Sequence, residues 1–366
     1  MQAQTTAFPA PPAELDVRRG SLKLPGGALR WWRAPLWFLA LFTGSKSFAD
    51  NPILGSAVLN RAGLHGWRVR AAHALTRWRR ARLSHLVPEH LRDQFDRDGF
   101  VVVKDVLPLE DFRRLQKAIL DSEFECRAHQ QGDTVTRRVA LGPELLRRIP
   151  ALAAVLASPR WSGLMAYVAS SRNRPLYYIQ TISGGIAEGP VDPQLQLHAD
   201  TFHPSLKAWL FLTDVEDDGR PLTYVAGSHR LSGARLAWER RKSVEVLQSG
   251  DRLSQRGSFR IRPDELDELG LPKPTRFSVP ANTLVIADTC GFHARANSNH
   301  ATVRVELWAF CRRNPFLPWT GGGPLSWPAL ADRRADLLYK LMDWLDRRGF
   351  AKQHWKRAGR RRPVDA

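Results

Sequence analysis

Residues 194–212 read QLQLHADTFHPSLKAWLFL, and this stretch leaves few options for what surrounds it. A His-X-Asp triplet, His198-Ala199-Asp200, stands in alternating polar and apolar sequence and runs into the strand-like KAWLFL. Alternate side chains of a strand share a face, so His198 and Asp200 can aim at one ion from a strand end. His293 follows ninety-five residues later in LVIADTCGFHARA, again just past a strand-like run. Arg304 lies eleven residues beyond it in VRVELWAF, across the turn ANSNHAT. Two histidines and one carboxylate that leave coordination positions open are the ligand set of non-haem Fe(II). An arginine close behind the second histidine offers a planar fork for a carboxylate. A lone His-X-Asp occurs by chance in many chains; the shared strand context of all four residues gives this one its meaning.

The same segments resemble the phytanoyl-CoA dioxygenase family. The likeness begins at Phe95 with FDRDGFVVVKDVLPLEDFRRLQ, continues through HAD and WLFLTDVEDDGRPLTYVAGSHR, and ends with the His293–Arg304 spacing. It spans residues 86–315, most of the chain. The resemblance implies a mainly β chain with flanking helices (α+β), built on a double-stranded β-helix, the jelly-roll or cupin-like barrel. It also implies Fe(II), with 2-oxoglutarate and O2 as cosubstrates. Carried over by position, His198, Asp200 and His293 become the catalytic iron ligands. Arg304 becomes the grip on the distal carboxylate of 2-oxoglutarate, and Trp209 and Gln180 line the cosubstrate pocket. Two residues after the distal histidine the family often has a small hydroxyl residue, whereas this chain has Arg295. Either the cosubstrate contacts differ there, or a second cation reads an anionic group. The implied reaction is hydroxylation of an unactivated C–H bond, with release of succinate and CO2; the Trp/Arg-rich amino-terminal stretch adds the expectation of a lipid-linked or amphipathic substrate. Two alternatives stay open. One is a soluble oxygenase of a small metabolite or carrier-bound intermediate, acting by hydroxylation, desaturation or cyclisation. The other is a non-catalytic binding protein on a degenerate barrel, against which the full set of four residues argues.

The formal charge of +19 points to an anionic partner. Residues 1–85 carry thirteen Lys/Arg against three Asp/Glu, so much of the excess lies ahead of the proposed enzyme domain. Residues 1–28 read as a disordered tail, and 29–85 as a basic, Trp-rich helical module. The apolar run from Ala34 to Gly44 is eleven residues, too short for the roughly 20 that span a bilayer. A signal peptide is disfavoured by the poor cleavage site in KSFADNP. An interfacial anchor fits better, with Trp31, Trp32 and Trp37 at headgroup depth. HGWRVRAAHALTRWRRARLSHLV then sets Trp67, Ala71, Ala74, Leu75, Trp78 and Leu83 at helical spacing among six arginines. The expectation is contact between residues 29–85 and an anionic membrane surface, with docking of this helix on the barrel as the alternative. Nucleic acid is disfavoured, since no recognised nucleic-acid module accompanies the charge.

Residues 86–318 are expected to form the dioxygenase domain, with an insertion at about 230–275, and 319–366 a C-terminal helix with a basic tail. Three cysteines without a CxxC favour a reducing compartment. The expected location is the cytoplasm, peripheral on the cytoplasmic face of the membrane. Among the remaining polar residues, Arg137 and Arg138 read as surface residues, His229 and Cys290 as structural, and His300 as exposed. His203 reads equally as part of the substrate mouth or as a plain loop histidine.

Overall fold

A computed structural model describes residues 33–321 and 327–365. The expected tail over 1–28, and Trp31 and Trp32 of the expected anchor, lie outside the described residues. The strands are β1 (Phe100–Val103), β2 (Phe124–Gln131), β3 (Thr134–Ala140), β4 (Leu176–Gly184), β5 (Leu206–Phe211), β6 (Leu222–Tyr224), β7 (Thr275–Arg276), β8 (Leu284–Asp288), β9 (His293–Arg295), β10 (Thr302–Cys311) and β11 (Lys356–Arg361). They form an antiparallel sheet of order β1-β8-β5-β10-β4-β3-β2-β11 and a smaller one of order β7-β6-β9.

This pairing corrects the expected closed barrel. Both sheets are open, and helix outweighs strand among the described residues, giving a mixed α+β arrangement rather than a jelly roll. The physical reason lies in the small sheet. Its strands have two or three residues, too few for ladders that could join the edges of the large sheet. Only isolated bridges such as His198↔His293 and Val215↔Val279 extend it. The basic C-terminal segment is also more ordered than a mobile tail. It pairs with β2 as the edge strand β11, KRAGRR, whose charge blunts an otherwise sticky edge.

The period-2 pattern divides the large sheet into two faces. Leu206, Ala208 and Leu210 of β5 and Val305, Leu307 and Ala309 of β10 enter one core with helices Leu109–Leu120, Pro150–Ala157 and Pro159–Val168. Each fully buried leucine there contributes about 1.5–3 kcal/mol. The opposite face carries Trp209, Phe211, Tyr178 and Trp308, which meet Leu222 and Tyr224 of the small sheet and Tyr339 of helix Arg334–Arg347. Trp308 lies between Trp209 and Tyr178 in register. The polar residues of the site are on this second face and at its end.

Helix Leu64–Leu83 packs against helices Gly233–Glu245 and Pro159–Val168, with a face opposite to most of the expected apolar stripe turned inward. Its buried residues include His65, Arg68, Val69, Ala72, His73, Thr76 and Arg79, while Trp67 and Trp78 are exposed. The guanidiniums go inside because loop carbonyls wait for them. Arg68 donates to the carbonyls of Leu41 (2.9 Å), Thr43 (2.9 Å) and Ser45 (2.7 Å). Arg79 donates to those of Pro315 and Leu317, both at 2.9 Å, and to Ser170. The insertion clamps the same helix. Its helix Gly233–Glu245 supplies Glu239, 2.9 Å from His65 Nε2, and holds the preceding helix Ala57–Arg61 through the Ser243 carbonyl, which accepts from Asn60 at 3.1 Å. No helix of the described residues is long and apolar enough to cross a membrane.

Candidate metal centre

His198 and His293 belong to different segments, and the backbone brings them together. Each donates its amide to the other's carbonyl at 3.0 Å. Asp200 is fixed next to them by its amide, which donates to the Thr289 carbonyl at 2.9 Å. The two imidazole centroids are 4.5 Å apart. His198 Nδ1 lies 2.8 Å from the Gln196 carbonyl, and His293 Nδ1 3.0 Å from the Gly291 carbonyl. A carbonyl only accepts, so both Nδ1 atoms carry the proton and both Nε2 atoms present a lone pair. Those Nε2 atoms stand 3.7 and 3.6 Å from Asp200 Oδ1. One ligand atom from each of the three residues falls within 4.8 Å of the others. His293 Nε2 is buried and has no hydrogen-bond partner among the described residues. A buried lone pair without a donor is costly unless a cation meets it, so the cluster fits a metal.

The charge state agrees. Burial pushes His198 well below the usual imidazole range, and His293 beside it adds to the effect. Burial alone would raise the Asp200 carboxyl, but neighbouring charge, the Lys207 ammonium first, outweighs it and holds it well below the usual range. A neutral His198 imidazole and an ionised Asp200 carboxylate are forms that bind a divalent cation.

Two lysines here escaped the sequence reading. Lys207 Nζ is 2.6 Å from Asp200 Oδ2, the oxygen turned away from the histidines, and Lys46 Nζ donates to the Asp200 carbonyl at 2.5 Å. Burial lowers Lys46 to about 8, with Asp200 opposing the shift. Lys207 had a signal in the sequence. It shares a strand face with Trp209 and Phe211, and a lysine on a buried face needs a partner. Lys46 lies in an irregular segment and had none.

Arg304 lies on the same inner face, but in a network of its own. Its Nε is 2.9 Å from Glu306 Oε2, and its Nη1 donates to the Arg220 carbonyl at 2.7 Å. Gln180 Nε2 donates to Glu306 Oε1 at 2.5 Å, while its Oε1 accepts from Arg138 Nε at 2.7 Å. Arg138 is therefore no surface residue; its guanidinium lies 3.9 Å from the Trp308 ring centroid. Arg137 is also buried. Trp209 borders this network through its cross-strand partner Trp308. Arg295 is paired with buried Asp192 at 2.7 Å. The extra cation at the departure from the family pattern thus has its own counter-ion.

The other singled-out residues divide cleanly. His203 is fully buried, with Nδ1 donating to the Pro204 carbonyl at 3.0 Å and Nε2 against Gly44. His229 and Cys290 are buried, the thiol pushed up by desolvation. His300 is exposed.

Comparison with known proteins fixes the relationship. Residues 95–248 match the family model of phytanoyl-CoA dioxygenase (PhyH). The matched segment is somewhat under half of the chain, and over it the chain is similar to this family. The match includes His198 and Asp200 and stops before His293 and Arg304, which the fold brings to the same side of the molecule. The cluster is a 2-His-1-carboxylate motif, and together with this similarity it marks the chain as an oxidative enzyme of the type that depends on Fe(II) and 2-oxoglutarate. No curated protein matches it. Similar solved structures include the epimerase SnoN in complex with Fe3+, alpha ketoglutarate and nogalamycin RO (20% identity, 66% of this chain and 93% of that one, TM-score 0.42). HygX from Streptomyces hygroscopicus with nickel and 2-oxoglutarate is another (18%, 61% and 86%, TM-score 0.39). So is EctD from S. alaskensis with bound Fe (16%, 66% and 83%, TM-score 0.37).

Proposed function

We propose that this enzyme, similar to the phytanoyl-CoA dioxygenase family, hydroxylates an unactivated C–H bond of an amphipathic, lipid-linked substrate at an anionic membrane surface, with release of succinate and CO2. The reading rests on the convergence of His198, Asp200 and His293. His198, His293 and Asp200 would hold Fe(II), the two imidazoles presenting Nε2 lone pairs beside Asp200 Oδ1. Bound together, iron, 2-oxoglutarate and O2 supply the oxidising power. Lys207 restricts Asp200 to one oxygen. Arg304, oriented by Glu306 and the Arg220 carbonyl, takes the distal carboxylate, with Gln180 and Trp209 at its border.

The membrane part of the proposal is supported by the amino-terminal surface. Leu36, Phe38 and Leu39 of helix Ala34–Ala40 are 60%, 54% and 59% exposed. Their apolar surface continues through the ring contacts Phe38–Phe42 and Phe42–Trp67. Arg70, Arg77 and Arg82 are exposed on the adjoining helix. Apolar surface edged by arginines suits the interface of an anionic bilayer, and such contact would place the protein on the cytoplasmic face.

Iron-dependent formation of succinate from 2-oxoglutarate tests the chemistry. His198→Ala, Asp200→Ala and His293→Ala should each abolish it, and retention in all three would misplace the centre. Co-sedimentation with anionic vesicles tests the surface; equal partitioning of the full chain and a Phe38→Ser/Phe42→Ser/Trp67→Ser variant would remove it. Turnover of a soluble metabolite by protein that ignores vesicles would favour the soluble-oxygenase reading.

A further inference from the structure

A second polar cavity lies apart from the metal cluster. It has a volume of about 650 Å³ and opens between helix Leu64–Leu83, helix Glu89–Asp98 and the turn at His229–Leu231. None of the three clustered ligands, nor Arg304, lines it. Its walls carry four arginines. Arg80 is neutralised by fully buried Asp288 at 2.8 Å. Arg77, Arg92 and Arg230 make no ion pair among the described residues, and Arg92 Nε is buried without a partner. The one other carboxylate in the wall is Asp96, which accepts from the Tyr167 hydroxyl at 3.3 Å. The cavity therefore holds two uncompensated positive charges.

We propose that this cavity binds the phosphate monoester group of a small organic molecule. The charge balance selects the ligand. A phosphate monoester carries about −1.5 to −2 near neutral pH, whereas a single carboxylate would leave an excess of positive charge. Arginine suits phosphate because its planar fork donates two parallel hydrogen bonds. His73 and His229 also line the wall. Burial lowers them to about 4 and about 3, so they serve as neutral hydrogen-bonding groups. Size selects an organic ester over the free ion. The volume falls within the roughly 300–1,000 Å³ of small-molecule sites, and Tyr167, Pro204 and Leu231 give an apolar wall for the remainder of the ligand. The proposal does not rest on the iron assignment. It joins that region only at its back wall, where Asp288 accepts from the amides of Ser205 and Cys290 at 2.9 and 3.1 Å.

Calorimetric titration of the full chain at fixed ionic strength tests this with glycerol 3-phosphate, inorganic phosphate and phosphatidic acid vesicles. Phosphatidylglycerol vesicles, whose phosphate is a diester, are the control. Saturable binding of a monoester is expected, weakened at least tenfold in Arg92→Gln/Arg230→Gln and kept in Arg304→Ala. Glycerol 3-phosphate as the tighter probe would identify a soluble ester, and phosphatidic acid a lipid headgroup. Should the double variant not fold, the imidazole resonances of His73 and His229 in the wild-type chain report instead, and they should move on addition of the monoester. The proposal is overturned if no monoester saturates, if the double variant binds as the wild type does, or if both imidazoles stay unmoved.

Discussion

Lys207 and Glu306 hold functional side chains in place from the inner face of neighbouring strands. Lys207 takes the outer oxygen of Asp200 and leaves the inner one directed at both imidazoles. Partners of this kind commonly change metal affinity 10–100-fold. Lys207→Met should therefore weaken Co(II) or Fe(II) binding about tenfold or more in a direct titration, with Lys207→Arg recovering part of the loss. Equal affinities in all three proteins would mean the lysine only balances charge. Glu306 is fully buried and accepts from Arg304 at Oε2 and from Gln180 at Oε1. Arg304→Ala strands that carboxylate, and breaking a buried pair in this way costs about 3–5 kcal/mol. Urea denaturation should show such a loss in Arg304→Ala and partial recovery in Arg304→Ala/Glu306→Gln, while both raise the 2-oxoglutarate requirement. A loss below about 1 kcal/mol in the single variant would show that the ion pair is not buried as described. The His-X-Asp triplet was legible from its two-residue spacing, although the structure sets it by the isolated bridge His198↔His293 and the Asp200–Thr289 backbone bond rather than by a strand. Glu306 has the same two-residue relation to Arg304, yet a carboxylate in a strand reads equally well as solvated. Its burial depends on β4 and β5, far away in sequence.

Helix Leu64–Leu83 shows where periodicity misleads. The stripe from Trp67 to Trp78 has helical spacing, so a reading by hydropathy turns it towards an apolar phase and leaves the arginines in water. Arg68 and Arg79 are instead buried, because segments 41–45 and 315–317 present carbonyls that only a multi-donor side chain can satisfy. No local pattern announces those acceptors, which come from loops up to 238 residues away. The consequence is measurable. Arg79→Met leaves buried acceptors unpaired, at about 1–3 kcal/mol each, whereas Trp78, 47% exposed, falls among surface positions that usually change stability by within about 0.5 kcal/mol. Thermal melts should rank Arg79→Met well below Trp78→Ser. The reverse order would place the tryptophan face inside.

At the scale of the whole molecule, the strand segments around the site were legible and their closure was not. GFVVVKDVL, KAWLFL, LVIAD and VRVELWAF all form strands, since each is short, apolar and bounded by turn residues. Whether two sheets close into a barrel depends on ladders between distant segments, and β6, β7 and β9 are too short to supply them. The space is filled by helices and by buried polar side chains, among them an unusual number of neutral histidines. Burial lowers His73 to about 4, and His203 and His229 to about 3, against about 6.5 in an unfolded chain. A depressed folded value means the unfolded state binds the proton first. The stability these residues contribute is therefore complete above about pH 6.5 and is lost as pH falls towards 4, by up to about 1.4 kcal/mol per pH unit for each histidine. The lowered carboxyls of Asp288 and Glu239, where Arg80 and Arg235 outweigh burial, add their loss only below the ordinary carboxylate range. Urea unfolding at pH 7.5, 6.0, 5.0 and 4.5 should thus show a decline that begins near pH 6.5, before any carboxylate titrates. His73→Asn/His229→Asn should be less stable at pH 7.5 yet lose less stability between pH 6.0 and 4.5. Parallel declines in the two proteins would mean that these imidazoles are not held neutral in the folded chain.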